Sequence, residues 1–97
     1  MLDYELYSSI GMKINFQNFM SFTDISQTST IEVDIRTDFA DLMYKNLNGI
    51  EAHDLALRIY RSEGDMDVSE GDVALIKALA SNAKPIFYDS MLANIKE

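Results

Sequence analysis

The stretch Val68-Ser69-Glu70-Gly71-Asp72-Val73 decides how the second half of this chain folds. A Ser followed three residues later by an acid is the signature of a capping box: the Ser69 hydroxyl accepts from the N–H of Asp72, and the Asp72 carboxylate accepts from the N–H of Ser69. Val68 and Val73 flank the pair as a hydrophobic staple. The spacing predicts a helix from Ser69 to about Asn82. That helix is apolar over most of its circumference, with Val73, Ala74, Leu75, Ile76, Ala78, Leu79 and Ala80, and only Glu70, Lys77, Ser81 and Lys84 clearly facing water. An element with so narrow a wet face belongs at the centre of a core or against a partner.

Downstream, Pro85 fits the first turn of a further helix, where its missing N–H costs nothing, with Tyr88, Met91, Leu92 and Ile95 as its stripe. Upstream, Glu51 to Arg61 places Ala52, Leu55, Ala56, Ile59 and Tyr60 on one face and Glu51, Asp54, Arg58 and Arg61 on the other. Gly64 is expected to end it. An earlier helix, capped by Thr37 and ended by Gly49, carries Phe39, Leu42, Met43 and Leu47. Before it the periodicity changes to two: Met12, Ile14 and Phe16, then Ile31, Val33 and Ile35 between Glu32, Asp34 and Arg36, read as half-buried strands. Antiparallel pairing of these two, across a wide loop or helical turn from Phe19 to Ser29, is the economical expectation. The fold class predicted is therefore α+β, a short antiparallel two-stranded ribbon packed on a bundle of three to four helices, in one domain over residues 1–97. Met12 opens directly into the first alternation, which makes it a candidate natural start with residues 1–11 an extension. An ordinary first strand or arm using Leu2, Tyr4, Leu6 and Tyr7 fits as well.

Composition narrows the function classes. Sixteen acidic against eight basic residues give a formal charge of −8, which opposes contact with nucleic-acid phosphates or an anionic membrane and favours a basic protein partner. Nearly half of the residues are hydrophobic, more than a small domain needs to hide, so self-association into a homo-oligomer is expected. Cysteine is absent, which removes disulfides, thiol catalysis and thiolate metal sites. No apolar run approaches the roughly 20 residues of a membrane span. Asp3 and Glu5 stand where a secretory signal carries basic residues. The expectation is a cytoplasmic protein.

The candidate sites are few. Glu63, Asp65, Asp67, Glu70 and Asp72 invite a calcium-loop reading, but in either register the required glycine and the bidentate twelfth-position Glu are missing. The same five residues are kept as a candidate acidic surface. His53 lies next to Asp54, yet neighbours on a helix diverge by about 100°, and no nucleophile in a recognisable setting accompanies it. No catalytic residue, metal ligand or cofactor is expected. The helices on either side of Gly49 permit a helix-turn-helix reading, against which Glu51 and Asp54 stand at the end where DNA contacts are made. Phe87, Tyr88, Met91 and Ile95 form a candidate interaction surface, since Tyr, Phe and Met are enriched where proteins associate.

Residues 50–97, with Leu55, Ala56, Ile59 and Tyr60 before Gly64, then Ser69, Glu70, Asp72, Leu75, Ile76 and Lys77 and the Pro85 helix, resemble small phage-encoded accessory proteins of uncharacterised function. The resemblance implies a phage or bacterial cytoplasm and a protein that works by contact; it carries over no catalytic residue. Four readings stay open beside a non-enzymatic interaction module: an acidic mimic of nucleic acid occupying a basic groove, to which Asp38 and Asp41 would contribute, a helix-turn-helix DNA-binding regulator, a binder of a small ligand, and an enzyme whose site is assembled from ordinary polar residues that no motif reveals.

Overall fold

The computed structural model describes residues 11–97, and the expectations placed on residues 1–10 lie outside them. Within them the fold is α+β, with four helices and two two-stranded antiparallel sheets. In chain order these are β1 (Met12–Asn15), β2 (Phe19–Phe22), β3 (Thr30–Val33), α1 (Arg36–Asn46), α2 (Ile50–Arg61), β4 (Asp65–Val68), α3 (Glu70–Ala80) and α4 (Pro85–Asn94).

The single ribbon expected from the two alternating stretches is replaced by two. β1 pairs with β4, Met12 opposite Val68 and Ile14 opposite Met66. β3 pairs with β2, Phe19 opposite Val33 and Ser21 opposite Ile31. The reason lies in β4: Asp65-Met66-Asp67-Val68 alternates acid and apolar, so its Met66 and Val68 bury beside Ile14 while Asp67 meets Lys13 on the wet face. What reads locally as an acidic loop is a strand. The Asn15 side chain accepts from the N–H groups of Gln17 and Asn18 and turns the chain from β1 into β2. The other edge of β1 is closed by the C-terminus, where Lys13 and Lys96 exchange backbone hydrogen bonds of 2.8 and 2.9 Å.

The capping box forms as the spacing predicts. Ser69 Oγ accepts from Asp72 N, and Ser69 N donates to Asp72 Oδ2, each at 3.0 Å. Pro85 occupies the first turn of α4. Thr37, in contrast, caps nothing: Ile35 holds the cap position and α1 begins two residues earlier than a Thr37 cap would start it, because Asp34 takes the Arg36 N–H at 3.1 Å and also grips the Arg36 guanidinium. Gly49 and Gly64 do not end helices but turn the chain beyond them, with φ of 102° and 68°. Gly49 opens α2, and Gly64 leads into β4 with its N–H on the Gln17 side chain.

One apolar core joins these elements. Ile14, Phe16, Phe19, Met43, Leu55, Ile59, Ile76, Ala80 and Met91 are wholly buried in it. Four phenylalanine rings run through it in series, Phe16 to Phe39 to Phe87 to Phe19, with centroid spacings of 5.7 to 5.8 Å. α3 supplies Val73, Ile76, Leu79 and Ala80 but leaves Ala74 and Ala78 exposed, so it flanks the core instead of forming its centre. Alanine is as much a helix former as a core residue, and that weakens the apolar count on which the central placement rested.

Candidate interaction surface

α1 and α2 pack as a hairpin of amphipathic helices, α2 burying Ala52, Leu55, Ala56 and Ile59 against Phe39, Ala40 and Met43 of α1. Where small residues meet, at Ala40 and Ala56, the helix surfaces leave a groove of about 400 Å³. Leu57 lines it, and Tyr44 and Tyr60 stand along it with 59% and 55% of their surface exposed. Asp41 adds one carboxylate, paired at 2.9 Å with Lys45 one turn on. The groove therefore offers apolar walls and two phenol hydroxyls, suited to bind side chains by burial and to orient them by hydrogen bonds. His53 is exposed, its ring 5.7 Å from that of Tyr44 and tilted by 44°. Among the described residues no group of three His, Asp or Glu side chains comes together as a metal site.

The sequence-predicted residues fall in two places. Met91 is wholly buried and presents no surface; Phe87, Tyr88 and Ile95 are half-buried and packed on the core. The stripe expected for α4 is displaced because Ser90 and Asn94 are buried and Leu92 is exposed. These two polar residues serve β2. Asn94 accepts the Met20 N–H at 3.0 Å and donates to the Met20 carbonyl at 2.9 Å, and Ser90 Oγ accepts the Phe22 N–H at 3.0 Å. Their side chains close the outer edge of β2 as a neighbouring strand would.

Two of the five acids are engaged by cations, and one of these is withdrawn from the surface. Asp67 pairs with Lys13, raising the lysine pKa through that hydrogen bond and charge. Asp72 is enclosed by Ser69 and by Arg58, whose guanidinium reaches its two oxygens at 2.9 and 3.2 Å. Burial opposes ionisation of Asp72, but Arg58 and Ser69 outweigh it and hold the carboxyl below its ordinary pKa. Glu63, Asp65 and Glu70 remain exposed, and so does Asp67 despite its lysine. Arg58 also contacts Asp54 at 2.9 Å. One of the cations that a DNA-reading α2 would present, Arg58, is thus already engaged by two carboxylates.

The second open feature lies on the β2–β3 ribbon. All four residues of β3 are exposed, Ile31 at 55%. Because Met20 and Phe22 direct their N–H groups toward α4, the pairing partners Phe19 and Ser21 face Val33 and Ile31. Thr23 N then bonds Ser29 O in the same alternation. Thr30 and Glu32 consequently turn their N–H and C=O groups away from the ribbon. Neither this edge nor the groove is signalled by a motif; both arise from residues distant in sequence.

No family model, curated protein or solved structure matches the chain. Among the described residues no helix is long and apolar enough to cross a membrane.

Proposed function

We propose that the chain is a small non-enzymatic interaction module that acts by binding another protein, in the phage or bacterial cytoplasmic setting that the resemblance of residues 50–97 implies. The observation that carries this reading is the apolar groove between α1 and α2, bordered by Tyr44 and Tyr60, on a domain that already buries a continuous core. Exposed tyrosines on an apolar floor supply contact area at little cost in side-chain entropy. The net charge of −8 favours a basic partner by steering.

The experiment compares the wild-type chain with Tyr44→Glu and Tyr60→Glu as baits in the cells that produce it. Both side chains are mostly exposed, so the variants retain the thermal melt of the wild type. The expected result is a stoichiometric protein partner that survives raised salt and is lost with either variant. Binding that collapses with salt and ignores both tyrosines would instead favour the acidic-mimic reading. Absence of any partner would contradict the proposal.

A further inference from the structure

Each exposed strand edge in this fold has a different fate. The outer edge of β2 is filled by Asn94 and Ser90, and that of β1 by Lys96. β4 turns Asp65 and Asp67 outward, and two acids along an edge discourage pairing with another strand. β3 differs. Among the described residues nothing hydrogen-bonds to the outward N–H and C=O groups of Thr30 and Glu32, and the strand carries exposed Ile31 and Val33.

We propose that β3 is a self-association edge: two copies pair antiparallel through Thr30–Val33 about a two-fold axis at Ile31, joining their ribbons into a four-stranded sheet. This rests on the reading of the chain as an interaction module and names one partner for it, a second copy. Three requirements select the register. A two-fold axis normal to the sheet keeps side chains on their own face, so only registers centred on a residue are allowed. The groups pointing outward belong to Thr30 and Glu32, so these must form the hydrogen-bonded pairs. Centring on Glu32 sets two carboxylates directly opposite one another and centring on Val33 sets Glu32 opposite Asp34, both destabilising, while centring on Thr30 sends Glu32 past the strand end to Thr28. Centring on Ile31 places each Glu32 opposite Thr30 of the second copy, completes both hydrogen-bonded pairs, and brings the two Ile31 side chains together in the closer, non-hydrogen-bonded position. The more exposed of the strand's two apolar residues is then the one at the axis.

Two acidic copies repel, so this association tightens as salt rises, the opposite of binding to a basic partner. The edge is short, and exchange between monomer and dimer is expected, with the dimer populated only at high protein concentration.

The absence of cysteine makes the register directly testable. Single variants Thr30→Cys, Ile31→Cys, Glu32→Cys and Ile25→Cys are oxidised in the full-length protein at high concentration. Ile25, in the loop between β2 and β3, is 98% exposed and reports random collision. The proposal expects Ile31→Cys to form a covalent dimer about tenfold faster than the other three, because only position 31 meets itself at disulfide distance. A Glu32→Cys maximum, or an Ile31→Cys rate equal to that of Ile25→Cys, overturns it. In sedimentation, Glu32→Pro removes only an outward N–H, a substitution edge strands accept; it should abolish the dimer while the monomer melts unchanged. A wild-type chain that stays monomeric at every concentration also overturns the proposal, and leaves the edge to a segment of another protein. None of these failures touches the Tyr44 and Tyr60 experiment, so the two readings fall separately.

Discussion

Replacing Asn94 by Ala removes the side chain that stands in for a strand beside β2. Asn94 is 3% exposed and makes three hydrogen bonds: it accepts from Met20 N, and it donates to the carbonyls of Met20 and Ser90. The Ser90 carbonyl lies on α4, one turn before Asn94, and keeps its helical partner, so its loss matters least. The Met20 N–H and C=O are left without partners, and each such group costs about 1–3 kcal/mol when water cannot replace the bond. Met20 is partly exposed, so water reaches the strand to some degree, and the sum falls to about 2–3 kcal/mol. For a domain of this size that lowers Tm by about 10–20 °C. Urea unfolding should give this loss with an unchanged m-value. Asn94→Asp sharpens the test. Its carboxylate still accepts from Met20 N but faces the Met20 carbonyl without a proton, so it should be at least as destabilised at pH 7 and partly recover as acid protonates it. A loss below about 0.5 kcal/mol in Asn94→Ala would show that α4 does not hold β2, and with it the account of why β3 is the open edge would fail.

Four further outcomes follow from the same geometry. Asp72→Ala deletes one half of the capping box and the Arg58 bridge and should cost about 1–2 kcal/mol in chemical denaturation. Stability should also fall in acid, because the Asp72 carboxyl is held below its ordinary pKa. Its contribution is complete above the unfolded value near 3.8 and disappears as pH drops through the lower folded value, a step that Asp72→Ala abolishes in a pH titration of unfolding. Gly49→Ala has open space for its methyl group but a φ of 102°, so the loss of about 1–2 kcal/mol should be conformational and appear without change in the α1–α2 groove by NMR. Met91→Ala should cost about 2–5 kcal/mol, reflecting a wholly buried side chain and not a surface one.

What the chain discloses locally and what it withholds separate along one physical line. The Ser69 cap, the Pro85 start and the Leu55 to Ile59 face are short-range patterns, each decided within a turn or two of helix, and all are present in the structure. Strand pairing is not local. The partner of Ile14 is Met66, on the far side of two helices, and the alternation that marks Asp65–Val68 as a strand sits inside a run of acids that by charge alone reads as a solvated connection. Phe19–Phe22 lacks alternation, and its place in a sheet is set by backbone partners distant in sequence, α4 on one edge and β3 on the other. The candidate surfaces were hidden for the same reason. Ser90 and Asn94 read as wet positions until β2 arrives to use them, which shifts the buried face of α4 and draws Met91 into the core. The groove exists only where Ala40 and Ala56 meet across the hairpin.

The most direct test of an association edge at β3 is amide hydrogen exchange at Thr30 to Val33 as protein concentration is raised. Ile31 and Val33, which bond to β2, should be protected at every concentration, while Thr30 and Glu32 should exchange freely when dilute and gain protection together as the dimer forms. Exchange at Thr30 and Glu32 that ignores concentration, or protection of either in the dilute monomer, would contradict the account.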